Sequence, residues 1–137
     1  MERIETTAIR NLIHNEEYCR KVLPFIKEEY FIDRLEKLIF TEIYNFVNKY
    51  NNLPTKESLS IEMNTNKGVS EDEYKRMNEI ISSLNPEPIN LDWLVETTEV
   101  WCKDRAIHNA ILGGIQILDG KDKDHPPEYL PEMLSEA

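Results

Sequence analysis

The sequence predicts an all-α fold. Apolar residues return at intervals of three and four through every long segment, and only 4 Gly and 7 Pro interrupt 137 residues,. A length of 137 residues, 40% hydrophobic and 31% charged, is enough for one self-sufficient core and too apolar for a disordered chain. Sixteen Lys and Arg against 26 Asp and Glu give a net charge of −10. That balance argues against strong direct binding of DNA or of an anionic membrane, because such affinity comes mostly from Lys and Arg.

The first helix is expected over Ile4 to Ile13, with Ile9, Leu12 and Ile13 on one stripe and His14-Asn15 as the break,. A second stripe of Tyr18, Val22, Phe25 and Ile26 contains Pro24, which should end the helix near Leu23 because proline removes a backbone donor and restricts its predecessor,. Glu29-Tyr30-Phe31 is then a connector. Asp33 can cap the central core helix, which keeps a 3, 4, 7 rhythm through Leu35, Leu38, Ile39, Ile43, Phe46, Val47 and Tyr50,. Asn51-Asn52-Leu53-Pro54 stops it, and Thr55 with Ser58 makes an imperfect capping box for a short helix through Leu59 and Met63,. Ser70 with Glu73 is a regular S-x-x-E box, opening a helix through Tyr74, Met77, Ile80, Ile81 and Leu84 that Asn85-Pro86-Glu87-Pro88 ends,.

From Leu91 to Leu118 no proline occurs, which permits about 28 helical residues and roughly 40 Å,. The first half has one stripe, through Leu91, Leu94, Val95, Thr98, Trp101 and Cys102. Trp93 and Trp101, eight residues apart, read as core anchors,. In the second half Ala106, Ile107, Ala110, Ile111, Leu112, Ile115, Ile117 and Leu118 spread around most of the circumference, and Gly113-Gly114 permits close backbone approach,. Such a helix is expected to be buried on more than one side. A charged turn over Asp119 to Pro127 follows, and Leu130, Met133, Leu134 and Ala137 begin a returning arm whose stripe stops at the last residue. The expected architecture is therefore a compact bundle over residues 1–88, followed over residues 89–137 by a projecting helical hairpin with a truncated second arm. A second copy packed on that hairpin would cover Ile107, Ala110, Ile111, Gly114, Ile115 and Leu118, the candidate subunit interface.

No constellation of nucleophile, base and orienter stands out, so no catalytic residue is assigned and a binding or assembly module is favoured over an enzyme. The stretch Gly114 to Asp122 imitates a phosphate loop but has one residue too many between its glycines and Asp after the Lys,. Asp119, Asp122, Asp124 and His125 fit neither an EF-hand nor a histidine zinc motif, and His14 and His108 lack a ligand partner at i+4, so no metal or cofactor site is assigned,. Cys19 and Cys102 form no CxxC pair, and no apolar leader or membrane span is visible; a cytoplasmic protein is expected,.

Several stretches in order carry a family resemblance: Leu12-Ile13 with Tyr18, Pro24 with Glu29-Tyr30-Phe31, Tyr50 to Leu59 around Pro54, and Trp93-Leu94-Val95, Thr98-Glu99, Arg105-Ala106 and Asn109-Ala110. Through them the chain resembles the N-terminal domain of DnaB-type replicative DNA helicases of T-even-like bacteriophages. The resemblance implies a helical bundle and hairpin that pair subunits into a collar above a hexameric ring, and that dock primase or a helicase loader. ATP and Mg would belong to a RecA-like motor domain that these 137 residues do not contain. Gly113-Gly114 departs from the pattern, at about 1 kcal/mol per glycine in a helix interior. A free-standing phage adaptor that binds a host protein, and an acidic metal-dependent hydrolase built on Asp119, Asp122, Asp124 and His125, are the rival readings.

Overall fold

The computed structural model describes residues 2–66 and 68–118. Six α-helices and one short 3-10 turn account for its regular structure: α1 (Ile4–His14), α2 (Glu16–Val22), α3 (Arg34–Tyr50), α4 (Lys56–Asn64), α5 (Glu71–Ser83) and α6 (Leu91–Leu118), with the turn at Glu28–Tyr30. Among the described residues there is no strand, so the fold is all-α. The chain divides into two units between Thr98 and Glu99. The turn and returning arm expected beyond Leu118 lie outside the described residues.

Helix boundaries follow the local chemistry. Helix α2 stops at Val22, two residues before Pro24. Asp33 caps α3 by accepting from the N–H groups of Leu35 (2.9 Å) and Glu36 (3.1 Å). At the other end Asn51 takes φ 53° and ψ 37°, the left-handed conformation that closes a helix and that asparagine tolerates better than most residues. The Thr55–Ser58 box is complete, not imperfect: Ser58 N–H donates to Thr55 Oγ1 (3.0 Å) and Thr55 N–H donates to Ser58 Oγ (2.8 Å). A serine hydroxyl thus does the work usually given to a glutamate carboxylate. Ser70 and Glu73 form the expected reciprocal pair at 3.1 and 3.2 Å. Helix α6 runs unbroken through Gly113-Gly114, and Asn90 starts it by accepting from the Trp93 N–H at 2.9 Å.

Helix α3 is the hub of the first unit, touching α1, α4, α5 and the 3-10 turn. Its Leu35, Ile39, Phe40 and Ile43 are buried, as are Ile9 and Leu12 of α1, Tyr18 and Val22 of α2, Leu59 and Met63 of α4, and Met77 and Ile81 of α5. The rhythm expected for α3 holds for Leu35, Ile39 and Ile43. It fails for Tyr50, which is exposed, and it omits Phe40, one of the largest fully buried side chains. A helix with neighbours on several sides buries a wider arc than a single stripe, and position 40 falls inside that arc.

Two side chains, His14 and Lys56, hold the chain where it leaves α5. The His14 Nε2 lies 2.6 Å from the Leu84 carbonyl, and Lys56 Nζ donates to the Ser82 carbonyl (3.1 Å) and Asn85 Oδ1 (2.9 Å). Lysine is well suited to the last carbonyls of a helix, where the backbone dipole is negative. His14 is therefore an anchor for the segment before α6.

Candidate assembly surface

Within the second unit the described residues are those of α6 from Glu99 to Leu118. The run from Ile107 to Leu118 contains no Asp, Glu, Lys or Arg. Ile107, Ile111, Ile115 and Leu118 follow one another by four, four and three positions, so they share one face. They are 48, 49, 49 and 67% exposed. Leu112 and Val100 add further exposed apolar surface. Single exposed aliphatic residues need no explanation, but an unbroken face of them is a candidate interaction surface.

The six candidate interface residues divide in two. Ile107, Ile111, Ile115 and Leu118 are exposed, whereas Ala110 and Gly114 are buried. All six lie within one side of the helix, the two small residues along one flank of the isoleucine row. Trp93 is not the core anchor expected of it: it is 53% exposed, and Trp101 is half-buried. At 3.6 residues per turn Trp93 lies about 100° from Leu94 and about 140° from Thr98, which turns its ring away from the buried side. In the first unit, the buried stripe of α6 runs instead through Leu94 and Thr98.

Among the described residues no group of three or more His, Cys, Asp or Glu is arranged to hold a metal ion. The Asp119, Asp122, Asp124 and His125 set lies outside the described residues, as does Lys121. His108 is exposed on α6. No described helix is long and apolar enough to cross a membrane.

The two thiols are chemically quiet. Burial pushes Cys19 up to about 11, helped by the nearby Glu16 carboxylate, and pushes Cys102 up to about 12, helped by Glu99. A thiol whose folded value lies above its ordinary value of 9.0 adds stability that is complete below that value and is lost as pH rises through the folded value. Stability is therefore expected to fall as the pH climbs from about 9 toward 11, and alkylation at pH 8 should follow unfolding. Urea titrations across that range test this; a Cys19→Ala, Cys102→Ala chain that keeps the same alkaline slope would disprove it.

No protein-family model matches the chain. Over 120 residues, 88% of its length, it is 32% identical to a DnaB-like replicative helicase of Enterobacteria phage T4. The chain is thus similar to a DnaB-like replicative helicase. It spans about a quarter of the length of the helicase it matches, 25%, and its all-α structure is consistent with an N-terminal DnaB-type domain.

Sequence reasoning missed two features. Phe40 was hidden because it sits next to Ile39, outside a single-stripe template. The exposure of Trp93 could have been read from helical angle, since Leu94 and Thr98 already defined the buried side.

Proposed function

We propose that this chain is a collar and assembly module of a hexameric phage-type replicative helicase, pairing subunits through α6 and offering a docking place for primase or a loader. The observation that carries the proposal is the charge-free, exposed isoleucine row on α6, in a chain that matches a quarter of a replicative helicase. An apolar seam of four-residue and three-residue steps is suited to knobs-into-holes packing against a second helix. A two-fold pair would cover the row on both copies at once. ATP and Mg chemistry belongs, in this reading, to a motor domain encoded beyond these residues, and the acidic balance leaves DNA to that domain.

Sedimentation velocity tests the surface. The native chain is expected to form dimers or larger species with rising concentration, and Ile111→Asp should weaken them at least tenfold, because burying an unpaired carboxylate costs more than the about 1.4 kcal/mol that a tenfold change represents. A folded monomer at high concentration, unchanged by that substitution, would overturn the assignment of this face. Reading the gene past the Ala137 codon separates the collar from the adaptor. A frame that continues to a Gly-x-x-x-x-Gly-Lys-Ser/Thr loop supports the collar, and a stop codon would replace it with an adaptor.

A further inference from the structure

A groove of about 470 Å³ lies in the first unit between the end of α2, the 3-10 turn and α3. That volume falls in the range of sites that accept ligands or side chains. Its floor is apolar, formed by Leu23, Ile26 and Phe40, with Tyr44 as one wall. The aromatic groups form a row: Phe31 stacks on Phe40 at 4.9 Å, and Phe40 meets Tyr44 at 6.1 Å. Tyr44 is 39% exposed, so part of its ring borders the opening.

The rim is charged unevenly. Glu28 and Glu29 stand there against Lys27, and the whole chain carries −10. The Glu28 carboxylate lies 2.7 Å from the Thr41 hydroxyl, whose one proton it shares with the Lys37 carbonyl at 2.8 Å. A carboxylate and an aromatic ring lining one groove favour a cation, through ion pairing and through the negative face of the ring. The net charge also speeds the approach of a basic partner.

From this we propose that the groove docks a segment of a partner protein in which an apolar side chain adjoins a positive charge. The apolar group fills the floor over Phe40, and the cation sits between Glu28 and the Tyr44 ring. The proposal rests on the partner-docking part of the reading above and gives that docking a place and a chemistry. It does not involve the isoleucine row of α6.

Tryptamine, an indole bearing an ammonium group, is the minimal probe, and indole-3-acetate is its anionic counterpart. Amide chemical-shift titrations of the 137-residue chain should show saturable tryptamine shifts at Leu23, Ile26, Thr41 and Tyr44. Binding should be roughly fivefold weaker for the acetate, the size of an effect expected from an exposed ion pair. The Glu28→Gln, Glu29→Gln chain should lose that preference while keeping its spectrum elsewhere, and Tyr44→Ala should weaken both probes. Equal binding of the two probes, shifts outside the groove, or no saturable shift would overturn the proposal. Sedimentation of the same samples reports on assembly separately, so failure of the groove and failure of the collar reading give different results.

Discussion

Phe40→Ala is expected to destabilise the first unit by about 3–5 kcal/mol, the usual cost of emptying a buried aromatic site. Phe40 is 1% exposed on the hub helix α3, stacked on Phe31 with an interplanar angle of 27°. Its removal takes away buried area and a ring pair together, and leaves a void that the surrounding helices cannot fill without shifting. Phe46 on the same helix is the control. It also has a ring partner, Tyr50, at 4.7 Å, but it is only half-buried beside an exposed tyrosine, so Phe46→Ala should cost about 1 kcal/mol. Urea unfolding followed by circular dichroism compares them directly. Equal midpoints for the two variants would show that the core is not organised around Phe40. Since Phe40 is also part of the groove floor, a milder Phe40→Leu chain that folds should bind tryptamine less well than the native one.

Much of the fold was legible because its punctuation is local. Pro24 ends α2, Asp33 starts α3, Ser70 and Glu73 start α5, and the proline-free run from Leu91 to Leu118 is one helix. Each depends on groups within a few residues of one another, so sequence carries it. Burial was less legible, because it depends on what lies opposite. The spacing of Leu35, Ile39 and Ile43 was enough to make α3 a core helix, but only the presence of several neighbours brings Phe40 inside and leaves Tyr50 out. The candidate surface shows the same divide. Periodicity found the apolar residues of α6, yet could not separate the buried Ala110 and Gly114 from the exposed Ile107, Ile111, Ile115 and Leu118.

Thr98→Val should cost about 1–3 kcal/mol although it changes the shape of the side chain very little. Thr98 is wholly buried. Its hydroxyl donates to the Leu94 carbonyl at 2.7 Å, so it is left to accept from the Tyr18 hydroxyl, 2.8 Å away. Valine removes that acceptor from a place water does not reach, while the phenol stays. Tyr18→Phe removes donor and desolvation cost together and leaves Thr98 bonded to Leu94, so its cost should be smaller, about 0.5–1.5 kcal/mol. The double variant should then be less destabilised than the sum of the two, with a coupling of about 1 kcal/mol. Denaturant midpoints for the four proteins of this cycle test the asymmetry: Thr98→Val no costlier than Tyr18→Phe, or strict additivity, would refute it. The pair joins α2 to the first turns of α6 across 80 residues of sequence, and Leu12, Val22 and Leu94 of the same unit are fully buried as well. Apolar packing alone tolerates rotation of a helix about its axis, whereas a buried hydroxyl pair is satisfied in only one register. Tyr18 and Thr98 thereby fix the rotation of α6 in the first unit.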